Sequence, residues 1–172
     1  SVGEYELPNN LCSDAFSGFF GAQAPFVGNA NNLTYSVVPG WLGAIWTDRY
    51  IKAMNPLYRV IELTREDQAL QDIYAFALVL RVAAMHRTSD KVGPIIYSQY
   101  NITNAAGGVS YDAQADVYTA FFSDLDTATG ILLGIKDNAA SAAMEKSDLA
   151  YTSNRYTRWL KFANTLRLRL AI

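Results

Sequence analysis

The sequence has one cysteine and one histidine in 172 residues, and each scarcity closes off some chemistry. Cys12 has no partner for an internal disulfide, and no cysteine-based metal site can form around it. A zinc site built on His86 and Cys12 would need carboxylates for every remaining ligand, which excludes the ordinary zinc centres. Basic residues are missing before Arg49, and acidic residues are missing from Arg155 onward, where the chain carries five basic ones. The net charge of −2 therefore hides a polarity. It marks either an electrostatic partner at each end or uneven sampling of a solvated surface. Long apolar runs are scarce too. The stretch 73–85 is interrupted by Arg81 and is too short to span a bilayer. The chain opens Ser-Val-Gly with no initiator Met, charged leader or apolar leader core, so a processed or trimmed product is expected.

What is present suits one ordinary domain with a real core: 51% apolar residues against 17% charged. Residues 1–40 lack sustained periodicity and are rich in Gly, Asn and Pro, with a short helix expected around residues 14–20. Phe16, Phe19, Phe20, Phe26 and Tyr35 in this irregular lead-in imply that it packs onto the helices. From Trp41 the pattern turns helical. Trp46, Tyr50, Met54, Leu57, Tyr58 and Ile61 form one stripe, which Pro56 should kink or break near Asn55. Thr64 is placed to cap the next helix, which carries Leu70, Ile73, Tyr74, Ala77, Leu78, Ala84 and Met85 and should end near Thr88. A long structured loop follows. Asp112 then caps a helix striped by Val117, Phe121, Leu125, Ala128 and Leu132. After a small-residue connection, Ser153 or Asn154 opens the last helix, with Trp159, Phe162, Ala163, Leu166 and Leu170 on one face. The expected fold class is all-α: tetratricopeptide-like helical hairpins with long irregular loops. Residues 41–172 are expected to form that scaffold, truncated at its C-terminus.

Catalytic signatures are hard to find. His86, expected at a helix end where an imidazolium suits the dipole, has no nucleophile elbow to serve, so a structural or surface role is expected. Asp124 and Asp126 are two apart and point to different flanks of their helix, and Asp112 and Asp116 read as cap and solvated face. No phosphate cradle, calcium loop or other cofactor motif is present. The two Asn-x-Thr triplets, at Asn32 and Asn101, matter only in a eukaryotic secretory setting. The basic closing segment does not segregate charge as a nucleic-acid or membrane helix would. It reads as a helix wedged between neighbours, its arginines snorkelling outward or meeting acids from elsewhere.

Two segments carry a family resemblance. "RVAAMHRTSDKVGPIIYSQY" (81–100) resembles the helix, Gly-Pro turn and following stretch of the SusD/RagB superfamily. "YDAQADVYTAFFSDLDTA" (111–128) followed by "YTRWLKFANTLRLRLAI" (156–172) is similar to that family's Tyr-Asp start, acidic aromatic helix and Trp-x-Lys-Phe-Ala-Asn signature. "WTDRYIKAMNPLYRVIEL" (46–63) is compatible with it. The resemblance implies a non-catalytic, surface-exposed outer-membrane lipoprotein that binds an oligosaccharide or other nutrient. Its partner would be a TonB-dependent, SusC-like transporter, and its membrane contact an N-terminal lipid anchor that this chain does not include. Cys12 is not in a lipobox and reads as an ordinary small residue. Sugars stack on aromatic faces, so Trp41, Tyr35 and Tyr100 are the ligand-binding candidates. A tetratricopeptide-like protein-interaction adaptor and a glycoside hydrolase fragment are the alternatives.

Overall fold

The computed structural model describes Asn9, residues 13–18, Gly21 and residues 38–172. These divide into two units, residues 1–52 and 53–172. In the first, Asp14–Phe16 forms a single helical turn, and α1 (Pro39–Arg49) begins with Pro in its first turn. The Trp46 and Tyr50 rings meet at a tilt of 38°, centroids 4.7 Å apart, and Lys52 meets Asp48 at 3.1 Å one turn away. A π-type segment, Tyr50–Met54, precedes α2 (Asn55–Thr64). The interruption expected near Asn55 is this segment, with Pro56 in the first turn of α2, where its missing N–H costs nothing.

The second unit is a stack of antiparallel hairpins: α2, α3 (Gln71–Val92), α4 (Gln114–Ile135) and α6 (Arg155–Leu170), with a short α5 (Ala142–Ser147) before α6. Side-chain links fix the directions. The Gln71 amide spans the α2–α3 turn, donating to the carbonyls of Thr64, Arg65 and Asp67. Gln114 at the start of α4 donates to Ser89 O near the end of α3 (2.8 Å), and Thr157 at the start of α6 donates to Lys136 O beyond the end of α4 (3.2 Å). The all-α, helical-hairpin class expected from the periodicity is the class observed, and among the described residues only isolated β-bridges occur.

The stripes explain the packing. Val117, Phe121, Leu125, Ala128 and Leu132 of α4 are all fully buried. Spaced by three and four, they present one continuous face, and each large apolar side chain contributes about 1.5–3 kcal/mol of transfer free energy. Helix α6 buries Tyr156, Trp159, Ala163, Leu166 and Leu170, while Phe162 stays 37% exposed with its ring 5.3 Å from Trp159. Arg167 pairs with Asp126 of α4, so one of the closing arginines does meet an acid from elsewhere. Helix α3 buries residues on several sides, Ala75, Leu78, Val79, Val82 and Met85 among them, because α2, α4 and α6 all pack on it. Together with the turn before it, this helix is long and apolar enough to cross a membrane by length and composition, which the shorter run 73–85 is not. Its contacts on three sides, with Arg81 paired to α4, explain that apolarity as a core helix.

Four local expectations are corrected. Helix α3 continues past Thr88 to Val92, and Gly93 ends it with φ +78° and its N–H on Ser89 O. His86 is therefore not at the helix end. It is 2% exposed, its Nδ1 is 3.0 Å from Val82 O, and burial pushes its pKa down, so it is a neutral core imidazole. Thr64 closes α2, its hydroxyl on Val60 O, while Asp67 caps the next turn by accepting from Ala69 N. Asp112 does not cap α4, whose N-cap is Ala113 without a side-chain bond.

Candidate functional site

The loop 93–113 owes its shape to Asp112. An antiparallel bridge pairs Ile95 with Asp112, with Asp112 N donating to Ile95 O at 2.9 Å. That contact brings the Asp112 carboxylate under the next turn, where it accepts from the N–H groups of Tyr97 and Ser98, both at 2.8 Å, and from the Ser98 hydroxyl. Partial burial pushes the Asp112 pKa up, but these hydrogen bonds outweigh it and leave it below the ordinary aspartate value. At the loop's tip, a second bridge joins Thr103 to Val109. There the Asn104 side chain accepts from Ala106 N and Gly108 N, around Gly107 at φ +81°.

Anchored in this way, the loop forms one wall of a solvent-open cleft of about 420 Å³. Helix α2 contributes Tyr58 and Glu62, with Arg65 just beyond it, α3 contributes Arg81, and α4 contributes Ala120, Ser123 and Asp124. Tyr97, Ser98, Tyr100 and Ile102 come from the loop. Its base is a charge pair: Arg81 donates to Asp124 Oδ2 from Nη2 (2.6 Å) and Nε (3.1 Å), and the two side chains are 13% and 17% exposed. The same oxygen accepts from the Tyr97 hydroxyl, while the Arg81 guanidinium lies 4.7 Å from the Tyr97 ring centre. Burial pushes the Tyr97 phenol well above its ordinary value, so it stays a protonated donor. At the cleft wall, Tyr58 and Tyr100 meet edge to face, centroids 5.2 Å apart and planes at 67°. Glu62 is held by Arg65 at 3.1 Å.

Of the three aromatics singled out from sequence, Tyr100 lies in this cleft. Trp41 is half-buried in the first turn of α1, in the other unit, with its backbone N–H on Val38 O at 3.0 Å. Tyr35 lies outside the described residues. Sequence reasoning missed the Arg81–Asp124–Tyr97 group. One signal was available: an arginine inside an otherwise apolar stretch must find a partner or reach solvent. A second polar cleft, near 430 Å³, opens around residues 136–140 and 152–157, but its one aromatic, Tyr156, is 4% exposed and gives its hydroxyl to Asp72 at 2.7 Å. Among the described residues no group of three or more His, Cys, Asp or Glu is placed to hold a metal ion.

Residues 2–172 match the SusD-like family, described as SusD and RagB outer membrane lipoproteins. No curated protein matches the chain. Among solved structures, a chitin-binding SusD homologue from Flavobacterium johnsoniae is 36% identical, with a TM-score of 0.88 over 99% of this chain and 35% of its own. SusD homologues from Bacteroides vulgatus and Bacteroides thetaiotaomicron are 31% and 30% identical, with TM-scores of 0.83 and 0.80. They cover 98% and 99% of this chain and 33% of their own length each, so the chain spans about a third of the structures it matches. With the match running almost end to end, the chain belongs to the SusD-like family of SusD and RagB outer membrane lipoproteins.

Proposed function

We propose that the chain is part of a surface-exposed lipoprotein that binds a glycan without chemistry and hands it to a TonB-dependent, SusC-like transporter. The observation that carries this reading is the likeness, over 99% of the chain, to a SusD homologue that binds chitin. Residues 41–172 are the helical scaffold in this reading and residues 1–40 its lead-in. Trp41, Tyr35 and Tyr100 are the aromatic ligand contacts, because a pyranose presents C–H groups on one face that pack well against a ring.

The cleft supports binding rather than hydrolysis. Glycoside hydrolysis needs one carboxylic acid ready to give a proton and one free carboxylate across the bond. Here Asp124 Oδ2 is taken up by Arg81 and Tyr97, and Glu62 is paired with Arg65. Both carboxylates stabilise the wall of the cleft and stand in ion pairs of their own.

Affinity electrophoresis of the chain through gels containing chitin-derived and other soluble glycans tests the reading. Retardation by at least one glycan with no release of reducing ends is the expected result, and the binding should be weak. Uniform migration through every gel removes the glycan, and reducing-end release by the purified chain removes the non-catalytic role. Co-purification from outer membranes with a TonB-dependent transporter tests the partner, and capture of peptides without any glycan affinity would favour an adaptor.

A further inference from the structure

We infer that the Tyr58–Tyr100 cleft is a subsite for a single uncharged sugar residue, a specificity that rests on the glycan-binding reading above. Charge balance is the first reason. Two carboxylates and two guanidinium groups line the cleft, and they are matched in pairs, Glu62 with Arg65 and Asp124 with Arg81. An anionic sugar would have to draw an arginine from its carboxylate, and a cationic sugar would have to draw a carboxylate from its arginine. At the Arg81–Asp124 pair either exchange strands a mostly buried charge, which is strongly unfavourable. A neutral polyhydroxyl ligand needs no exchange.

The shape and the remaining chemistry agree. A volume of about 420 Å³ lies within the range of small-molecule pockets, roughly 300–1,000 Å³. Two tyrosine rings at 67° make an apolar corner for one pyranose face. Around it, the exposed Ser123 hydroxyl can donate and accept, and the exposed Ser98 oxygen, whose proton goes to Asp112, can accept, which suits ring hydroxyls. The wall is also set in advance. Asp112 fixes the backbone at Tyr97 and Ser98, two residues before Tyr100, so little of the loop must be ordered when a ligand arrives.

Amide NMR titrations of the ¹⁵N-labelled chain test the inference, with four disaccharide probes: N,N′-diacetylchitobiose and maltose as neutral ligands, digalacturonate as the acid and chitobiose as the amine. The expected result is millimolar binding of at least one neutral probe, with shifts centred on residues 97–102 and 120–124. Charged probes should bind about tenfold more weakly or less. Tyr100→Ala should weaken the neutral probe about fivefold by removing half of the aromatic corner. Ser123→Trp, at an exposed position on α4, should block it by filling the cleft, and the amide spectrum of each variant reports its fold. Neutral-sugar shifts that map elsewhere, or that survive Ser123→Trp, overturn the subsite and leave the glycan reading standing. Equal or tighter binding of the acid or the amine overturns the neutral specificity. Absence of shifts with all four probes overturns the subsite, and the glycan reading itself falls only if every gel also fails to retard the chain.

Discussion

Two long connections, 93–113 and 136–154, are held by the same device and put to different uses. In the first, Asp112 gathers the N–H groups of Tyr97 and Ser98. In the second, Asp148 gathers those of Ala150 (2.9 Å) and Tyr151 (3.0 Å) and also accepts the Trp159 indole N–H at 2.8 Å. What differs is where the aromatics go. Tyr151 and Phe76 pack edge-on against Trp159, and Tyr156 sends its hydroxyl to Asp72 beside the Ser141 hydroxyl, so the second connection closes over the core. The first leaves Tyr100 and Ser98 facing a cleft. A carboxylate that collects backbone donors makes a loop rigid without saying what the loop is for. The side chains that the rigid backbone leaves unburied decide that.

If the comparison holds, breaking the inward anchor should cost more than breaking anything around the cleft. Asp148 is 5% exposed, and Asp148→Ala leaves two loop N–H groups and a buried indole N–H without their acceptor. The expected loss is about 3 kcal/mol or more, read from the urea midpoint at constant m-value. Asp124→Ala comes next. It orphans the Tyr97 hydroxyl and strands the mostly buried Arg81 charge, which the open cleft lets water reach only in part, so about 2 kcal/mol is expected. Equal or reversed losses would mean that the cleft wall, and not the closed connection, carries the structural load.

The contrast also shows what the sequence could and could not reveal. The α4 and α6 stripes were legible because burial on one helical face imposes a period that survives in the residues themselves; Val117 through Leu132 are buried as the spacing demands. Asp112 was misread because an Asp just before a helix is the usual sign of a cap. Its real partners sit 14 and 15 residues earlier, and only the Ile95 bridge brings them into reach. Asp124 and Arg81 are 43 residues apart, a pairing set by how two helices pack and invisible to any local pattern. Tyr100 could be named as an aromatic in a loop, but its edge contact with Tyr58 depends on that same packing. His86 was misplaced because nothing in Ser-Asp-Lys stops a helix, and Gly93 does.

Acid sharpens the comparison from the other side. The folded Asp112 pKa lies below its ordinary value, so the unfolded chain binds the proton more readily. The stabilisation from this group is complete above about pH 4 and is lost as the pH falls through the lower folded value. Carboxyl-detected NMR titration should place Asp112 below the ordinary range, with the Tyr97 and Ser98 amides shifting at the same midpoint. In Asp112→Asn that coupled shift should vanish, and the cleft wall should loosen at every pH. An Asp112 carboxyl that titrates at or above the ordinary range would show that its hydrogen bonds do not hold the loop.

The smallest effect is expected at the tip of the first connection. Gly107 adopts φ +81°, a conformation that L side chains rarely take, although a Cβ built there meets nothing within 4 Å. Gly107→Ala therefore adds backbone strain of about 1 kcal/mol with no steric clash. The tip is bonded mainly to itself: Asn104 N to Gly108 O at 2.8 Å, and Gly107 N to Asn104 O at 3.0 Å. It can open to relieve that strain while the Asp112 anchor and the helices stay folded. Amide exchange at Asn104 and Gly107 should accelerate in the variant, while the Tyr97 and Ser98 amides and the urea midpoint stay nearly unchanged. Faster exchange reaching Tyr97 would tie the tip to the cleft, and the two connections would then differ less than their anchors suggest.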